Sequence, residues 1–347
     1  MRSHHDPEAD PDVDAAVADL WFVTAVSNPV RYKTRYALFR KFKHHILHDL
    51  GANLVTVECA LGERGFQVTG GDPCEGGPRH IEVQVRNKTQ LWTKENLLNI
   101  GATRLPLTAK YIVFCDADVR FCNPHILTET IHALQIHKVV QPFETCCDMG
   151  PNGQVMQVHR SFGFCHANNW EWKPVSAKAG YGANGGSKNP SRSGPGAFGI
   201  PFHPGFALAF RRDVLDALGG LLEVGVLGAG DHHMCGALLG RAELTMPSGL
   251  HPNYRRKVMQ WQQRADRVVH HDFGYVPGNL LHYFHGPKQL RQYVSRWSIL
   301  VENDFDPEVD VVKNVHGVVE LVTTKPGLRD GIRRYFLSRD EDCVRME

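Results

Sequence analysis

Two short apolar runs, Leu20-Trp-Phe-Val-Thr-Ala-Val26 and Asn53-Leu-Val-Thr-Val-Glu58, bracket a stretch with a different period. Within it Tyr32, Tyr36, Phe39, Phe42 and Ile46 recur at spacings of three and four, which marks a helix over residues 31–50 with one buried face, and Gly51 supplies a C-cap. Strand, helix and strand at this spacing form a βαβ unit, whose strands run parallel in one sheet. The chain is therefore expected to be an α/β protein. The helix cations, among them Arg31, Lys33, Arg35 and Arg40, read as a solvated face.

The alternation continues. Ile81-Glu-Val-Gln-Val85 reads as a strand, residues 91–100 as a helix closed by Gly101, and Tyr111-Ile-Val-Phe-Cys115 as a buried strand. A helix over 127–137 and a strand at Val139-Val-Gln-Pro-Phe143 follow. From Thr145 to Pro204 the composition turns to Gly, Asn, Ser and His, which predicts a long functional loop tied down by Trp170 and Trp172. Residues 203–210 restore a strand and 211–218 a helix. Val226-Leu-Gly-Ala-Gly-Asp231 is a glycine-rich turn into a helix over 232–239. Residues 254–267 are basic around Trp261, 280–288 form a strand end and turn, and 289–300 a last helix.

The strand that begins at Tyr111 runs straight into Asp116-Ala-Asp118. Ligands of open α/β sheets bind beyond the carboxyl ends of the strands. Two carboxylates at i and i+2 can face one hard divalent cation, Mg²⁺ or Mn²⁺, shared with substrate phosphates. As a lone tripeptide the same residues also fit a solvated turn. Asp231, after Gly228-Ala-Gly, suits a helix N-cap. His282 and His285 precede Lys288 and Arg291. Imidazole is an acceptable Mn²⁺ ligand, and His282 equally suits plain packing.

In this order the motifs resemble those of GT-A glycosyltransferases, in the style of the family 2 and family 2-like enzymes, over roughly residues 20–300. The resemblance implies an open, mostly parallel, Rossmann-like sheet flanked by helices. It implies a flexible lead-in (1–19), a nucleotide-sugar half (20–144), an acceptor half with the long loop (145–303) and a C-terminal appendage (304–347). The implied donor contacts are Thr24, Ser27, Asn28, Glu58, Lys94, Asn99, Asp116, Gly205, Lys288 and Arg291. The implied metal ligands are Asp116, Asp118 and His285 for Mn²⁺ or Mg²⁺, and Asp231 is the implied base in an inverting transfer from a UDP-sugar such as UDP-glucose. Two departures stand out. Gln292-Tyr-Val-Ser-Arg296-Trp297 is one residue longer than the Gln-X-X-Arg-Trp of processive synthases, and Gly230-Asp231 stands where that pattern has Glu-Asp. The second leaves a retaining transferase of the same fold open.

With 42% hydrophobic and 22% charged residues the chain is of ordinary globular composition, and its net charge of +2 gives no global signal for a polyanion partner. Its nine cysteines include no C-x-x-C, Cys59 and Cys115 read as buried thiols, and a reducing, cytoplasmic setting is expected. Histidine pairs such as His44-His45 and His232-His233 read as surface or helix-face residues. No apolar run reaches membrane-spanning length. For the acceptor, the chain also resembles phage-encoded glycosyltransferases, some of which modify hydroxymethylated pyrimidines in DNA. Arg255, Arg256, Lys257, Arg264 and Arg267 would then track phosphates, with Trp170, Trp172 and Trp261 available to stack on bases. A glycan or protein acceptor is the alternative. From other classes, a nucleotidyl or phosphoryl transferase would use the same metal carboxylates, and a non-enzymatic nucleotide-sugar-binding module would need no base.

Overall fold

A computed structural model describes residues 17–71, 77–170, 202–293, 295–322 and 324–345. Strand β1 (Leu20–Ser27), helix α1 (Lys33–His44, extended by a π-helical turn at His45–Asp49) and strand β2 (Asn53–Leu61) form the expected crossover, with β1 and β2 parallel from Trp21↔Asn53 to Ser27↔Cys59. Strand β3 (His80–Asn87) adds in parallel outside β2. Helix α2 (Lys94–Ala102) crosses back, and β4 (Tyr111–Cys115) pairs parallel with β1 on its other side. Gly101 is what lets α2 lie so close to the sheet: a Cβ there would come within 2.9 Å of Val57 and also strike Val23.

After β4 come β5 (Val119–Phe121), helix α3 (Ile126–Ile136), and strands β6 (Val139–Gln141), β7 (Thr145–Met149) and β8 (Val155–Ser161). Then follow α4 (Phe162–Ala167), β9 (Phe202–His203), β10 (Ala207–Arg211), α5 (Arg212–Leu218), α6 (Gly230–Leu238) and α7 (Pro252–Val268). The last elements are β11 (Phe273–Tyr275), β12 (Asn279–His282), α8 (Trp297–Glu302), β13 (Val311–Lys313), β14 (Val319–Leu321) and α9 (Pro326–Ser338).

The main sheet runs β11-β6-β10-β4-β1-β2-β3 and is parallel except at β10, which is antiparallel to both neighbours. Alternate residues of β1 feed the two cores: Trp21 and Val23 pack on one face, Leu20 and Phe22 on the other. The architecture is thus an open, mostly parallel α/β sheet flanked by helices, as expected. A second sheet, β5-β12-β7-β8-β9, stands at the carboxyl end of β4 and forms the other wall of the cleft.

Three expectations change. The 145–204 segment opens as an ordered β7–β8 hairpin and a helix, because Thr145-Cys-Cys-Asp-Met149 alternates and its Cys146 and Asp148 are buried. Residues 171–201, with Trp172, lie outside the described residues, as do residues 1–16 of the proposed lead-in. The C-terminal segment packs into the main core through Leu328, Ile332, Tyr335 and Phe336 instead of standing off as an appendage. His45 and His233 are buried and not on the surface: His45 bonds Asp49, and His233 bridges Thr245 Oγ1 (2.6 Å) and Tyr254 Oη (3.1 Å). The eight described cysteines are free, and no described helix is long and apolar enough to cross a membrane.

Candidate functional site

β4 ends at Cys115, and the chain turns through Asp116-Ala-Asp118 into β5. The Asp116 amide donates to Phe206 O (2.7 Å), which ties this turn to the segment before β10. Phe206 itself sits at φ +72°, an uncommon conformation for a bulky residue, and stacks on His203 with ring centroids 3.8 Å apart. The two aspartates point toward different partners.

Asp118 faces β12 and the turn after it. His285 Nε2 lies 3.1 Å from Asp118 Oδ2 and His282 Nε2 lies 3.9 Å from Oδ1, and one donor atom from each of these three residues falls within 4.8 Å of the others. Behind them sits Asp148. The β12–β7 register puts His282 opposite Asp148, whose Oδ1 accepts from His282 Nδ1 at 2.6 Å. Its Oδ2 meets His159 Nε2 at 2.5 Å and the Lys288 ammonium, which also donates to Gln157. With Nδ1 bonded to a carboxylate, the lone pair of His282 is left on Nε2, facing Asp118. This carboxylate–imidazole arrangement is the one that orients metal-binding histidines elsewhere. One carboxylate oxygen and two imidazole nitrogens suit a borderline divalent cation. His285 Nδ1 has no hydrogen-bond partner and lies 3.8 Å from Glu341 Oε2.

Asp116 turns the other way. Lys94, the first residue of α2, places Nζ 3.1 Å from Asp116 Oδ1, 3.5 Å from Asp231 Oδ2 and 4.0 Å from Glu95 Oε1. The three carboxylates hold the Lys94 pKa well above its ordinary value against the opposing effect of burial. Burial pushes Asp231 up, but Lys94 and then His203 outweigh it and bring it down to about 2. Burial raises Glu95 to about 7, with Lys94 opposing, and its Oε1 has no hydrogen-bond partner. Asp231 is not the N-cap of α6. That position belongs to Ala229 (φ +68°), and the Asp231 carboxylate accepts instead from the amide of His232. Gly205 makes room for it, since a Cβ there would collide with the Asp231 carboxylate.

Lys94, Asp116, Asp118, Asp148, Asp231, His282 and His285 line one cleft with Ser27, Lys288, Arg291 and three further cations: Arg35, expected on a solvated helix face, Arg296 and Arg339. Arg35 and Arg339 share the buried Glu341, with Nε atoms 2.6 Å from its two oxygens, and both guanidinium groups approach the Trp92 ring.

Four residues expected to touch the donor are engaged elsewhere. Thr24 is buried and donates to Cys115 O (2.8 Å), joining β1 to β4. Asn28 closes a turn through both the amide and the carbonyl of Tyr32. Glu58 accepts from the amides of Gln67, Val68 and Thr69 and from the Thr69 hydroxyl, so its carboxylate holds that loop. Asn99 bonds Leu221 and Glu223. His282 takes the place expected for Asp116 beside Asp118 and His285, while Asp116 faces Lys94.

The basic stretch around Trp261 is also different. It is α7, whose Tyr254, Val258, Trp261 and Ala265 are buried at helical spacing. Trp261 is 1% exposed and donates to Gly220 O, so no base can stack on it. Arg255 pairs with Glu243, Arg256 and Lys257 with Glu308, and Arg264 donates to Leu218 O. Trp170 packs against Phe164.

No family model matches the chain, and no curated protein does. Among solved structures it is similar to the mannosyltransferase PcManGT from Pyrobaculum calidifontis in complex with GDP-Man and Mn²⁺, at 17% identity and TM-score 0.34, covering 72% of this chain and 61% of that one. It is similar to S. aureus TarS in complex with UDP-GlcNAc, at 11% identity and TM-score 0.37, covering 76% of this chain and 58% of that one. It is also similar to the 4-diphosphocytidyl-2C-methyl-D-erythritol synthase from Anaerococcus prevotii, at 9% identity and TM-score 0.34, covering 78% and 90%. The chain thus spans less than two thirds of the mannosyltransferase chain and of the TarS chain.

Proposed function

We propose that this protein is a metal-dependent glycosyltransferase that moves a hexose from a nucleoside diphosphate sugar, with a UDP-hexose as the first donor to try, onto an acceptor hydroxyl with inversion. The observation that carries the reading is the pairing, across one cleft, of a carboxylate–imidazole triad with a separately held carboxylate, Asp231. Asp118, His282 and His285 would hold Mn²⁺ or Mg²⁺. A cation there supplies charge neutralisation for the departing diphosphate.

The chain's own groups do the rest. Lys94, Lys288 and Arg291 line the cleft and offer positive charge to phosphate oxygens, Lys as a point charge and Arg as a fork. Ser27 and Asp116 line the same cleft, and Gly205 leaves room for the Asp231 carboxylate. Asp231, held ionised beside Lys94, takes the proton from the acceptor hydroxyl as that oxygen bonds to the anomeric carbon. The bond from the anomeric carbon to the phosphate oxygen breaks, and its electron pair leaves with the nucleoside diphosphate. When a phosphate draws Lys94 away, the Asp231 carboxylate loses its closest cation and becomes more basic.

The DNA acceptor suggested by the residue pattern loses its main support, because Trp261 is core and four of its five cations are already bonded. Hydroxymethylated DNA therefore enters only as one member of an acceptor panel beside glycans and peptides. The deciding assay is release of nucleoside diphosphate from UDP-hexoses and GDP-hexoses with Mn²⁺, with and without EDTA, followed by the anomeric configuration of the product. Release of pyrophosphate or inorganic phosphate in place of nucleoside diphosphate would assign the site to nucleotidyl or phosphoryl transfer. Retention at the anomeric carbon would leave Asp231 as an acceptor-binding group.

A further inference from the structure

The cations of the cleft differ in what neutralises them. Lys94 has Asp116 and Asp231, Lys288 has Asp148, and Arg35 and Arg339 share Glu341. Among the described residues, two cleft guanidinium groups have no carboxylate within ion-pair distance: Arg291, 7% exposed, and Arg296, 8% exposed. Among the described residues Arg291 donates to Tyr293 Oη (3.2 Å), and its Nε finds no partner there. Arg296 donates to Tyr335 Oη (3.2 Å), and its Cζ lies 5.3 Å from the centre of the Tyr293 ring. A phenol and an aromatic face orient a guanidinium but do not cancel its charge. A buried cation in that state is costly unless an anion reaches it.

Both arginines meet Tyr293, Arg291 at its hydroxyl and Arg296 at its ring, but beyond that side chain they face different groups. Arg291 is near His285 and Asp118, and it is among the charges that disfavour protonated His285. Its natural partner is the donor diphosphate. Arg296 lies against the turn that opens α6, where a Cβ on Gly228 would come within 3.0 Å of its Nη1. Gly228 (φ +95°) therefore lets this turn approach the guanidinium closely, three residues before Asp231. The group is also fixed in place. Tyr335 Oη accepts from Arg296 at 3.2 Å and from Arg339 Nη1 at 2.8 Å, and α9 is anchored in the core. Of the two arginines on that phenol, only Arg339 has a carboxylate.

We infer that Arg296 receives a second substrate anion, a carboxylate or a phosphate ester, at the Asp231 end of the cleft and separate from the donor diphosphate. This rests on the transferase reading above. The anion has two possible sources: a uronic acid carboxylate on the donor sugar, or an anionic group on the acceptor beside the hydroxyl that reacts. In either case the substrate pair carries at least one more negative charge than the nucleoside diphosphate itself.

The test uses the full chain with Mg²⁺ and calorimetry. UDP, GDP, UDP-glucose, UDP-glucuronate and inorganic phosphate are titrated into wild type, Arg296→Gln and Arg296→Lys, with thermal melts to check folding. The expected result is that Arg296→Gln changes UDP affinity by less than about 3-fold but weakens the anion it serves by about 10-fold or more, the usual effect of losing a charge-assisted bond, and that Arg296→Lys restores part of it. If UDP-glucuronate outbinds UDP-glucose and the preference vanishes in Arg296→Gln, the donor is the source. If the two donors bind alike and phosphate binds to the UDP-saturated protein through Arg296, the acceptor is the source. The inference is overturned if Arg296→Gln costs about 10-fold in UDP affinity, which assigns the residue to the diphosphate. It is overturned equally if a folded Arg296→Gln binds phosphate and glucuronate as wild type does. Wild type that binds neither UDP nor GDP retires the transferase reading on its own, and phosphate binding to the free chain, compared between wild type and Arg296→Gln, still decides whether Arg296 is an anion site.

Discussion

The two ends of the cleft hold their carboxylates by opposite means. Asp118 faces two imidazole nitrogens, and a buried carboxylate behind them, Asp148, fixes which nitrogen of His282 is exposed. Asp116 and Asp231 face a lysine. An imidazole can offer a lone pair to a cation, and an ammonium group cannot. The first end is therefore arranged to receive a divalent cation, and the second already contains its positive charge. The comparison shows why two aspartates only two residues apart differ in role: each is defined by the element packed over it, β12 for Asp118 and α2 for Asp116.

Changes at the imidazole end should have the largest effects. Asp118→Ala is expected to abolish Mn²⁺ binding by calorimetry and donor turnover together, and EDTA should do the same to wild type reversibly. Asp116→Asn should retain Mn²⁺ binding. Loss of metal affinity in Asp116→Asn as complete as in Asp118→Ala would erase the distinction between the two ends.

At the lysine end, Asp231→Asn should lower kcat by roughly 10²- to 10⁴-fold, the range for a lost general base, while Mn²⁺ and UDP affinities hold. A drop in donor affinity of the same size would move Asp231 into the donor site. Next in size is the support behind the imidazoles. Asp148→Asn should weaken Mn²⁺ about 10- to 100-fold, as loss of a carboxylate behind a ligating histidine usually does. An unchanged Mn²⁺ affinity in a folded Asp148→Asn protein would show that His282 needs no such orientation.

The smallest effect concerns stability. Glu95 is 2% exposed and its folded pKa, about 7, lies above the 4.5 of an ordinary glutamate. The folded chain therefore binds this proton more tightly than the unfolded chain. The stabilisation is complete below about pH 4.5 and is lost as the pH rises through about 7, a change of about 3 kcal/mol. Glu95→Gln should accordingly melt closer to wild type at pH 5 and above it at pH 8. A melting difference that does not vary with pH would show that Glu95 is ionised throughout.

The sheet was legible because its strands are short apolar runs with helical periods between them, and β1, α1, β2, α2 and β4 fall within a few residues of their expected places. The aspartate pair was legible because it ends such a strand. The support around it was not. Asp148 lies in a segment whose glycine and asparagine content masks an alternating strand, and its partners His159 and His282 arrive from other strands by sheet register. Arg35 looks like any solvated helix cation until the C-terminal Glu341 packs against it. Glu58 and Asn99 show the converse. A polar residue at the right place in a motif is bound to a nearby loop, and only the folded chain shows that its hydrogen bonds are already taken.

The most direct test is a crystal structure with Mn²⁺ and UDP, with the cation located by its anomalous scattering. The peak should lie between Asp118 Oδ, His282 Nε2 and His285 Nε2, with Lys94 still between Asp116 and Asp231 or drawn toward a phosphate. A peak bound to Asp116 and Asp231 with Lys94 displaced, or no peak near Asp118 at saturating Mn²⁺, would contradict the assignment of the two ends.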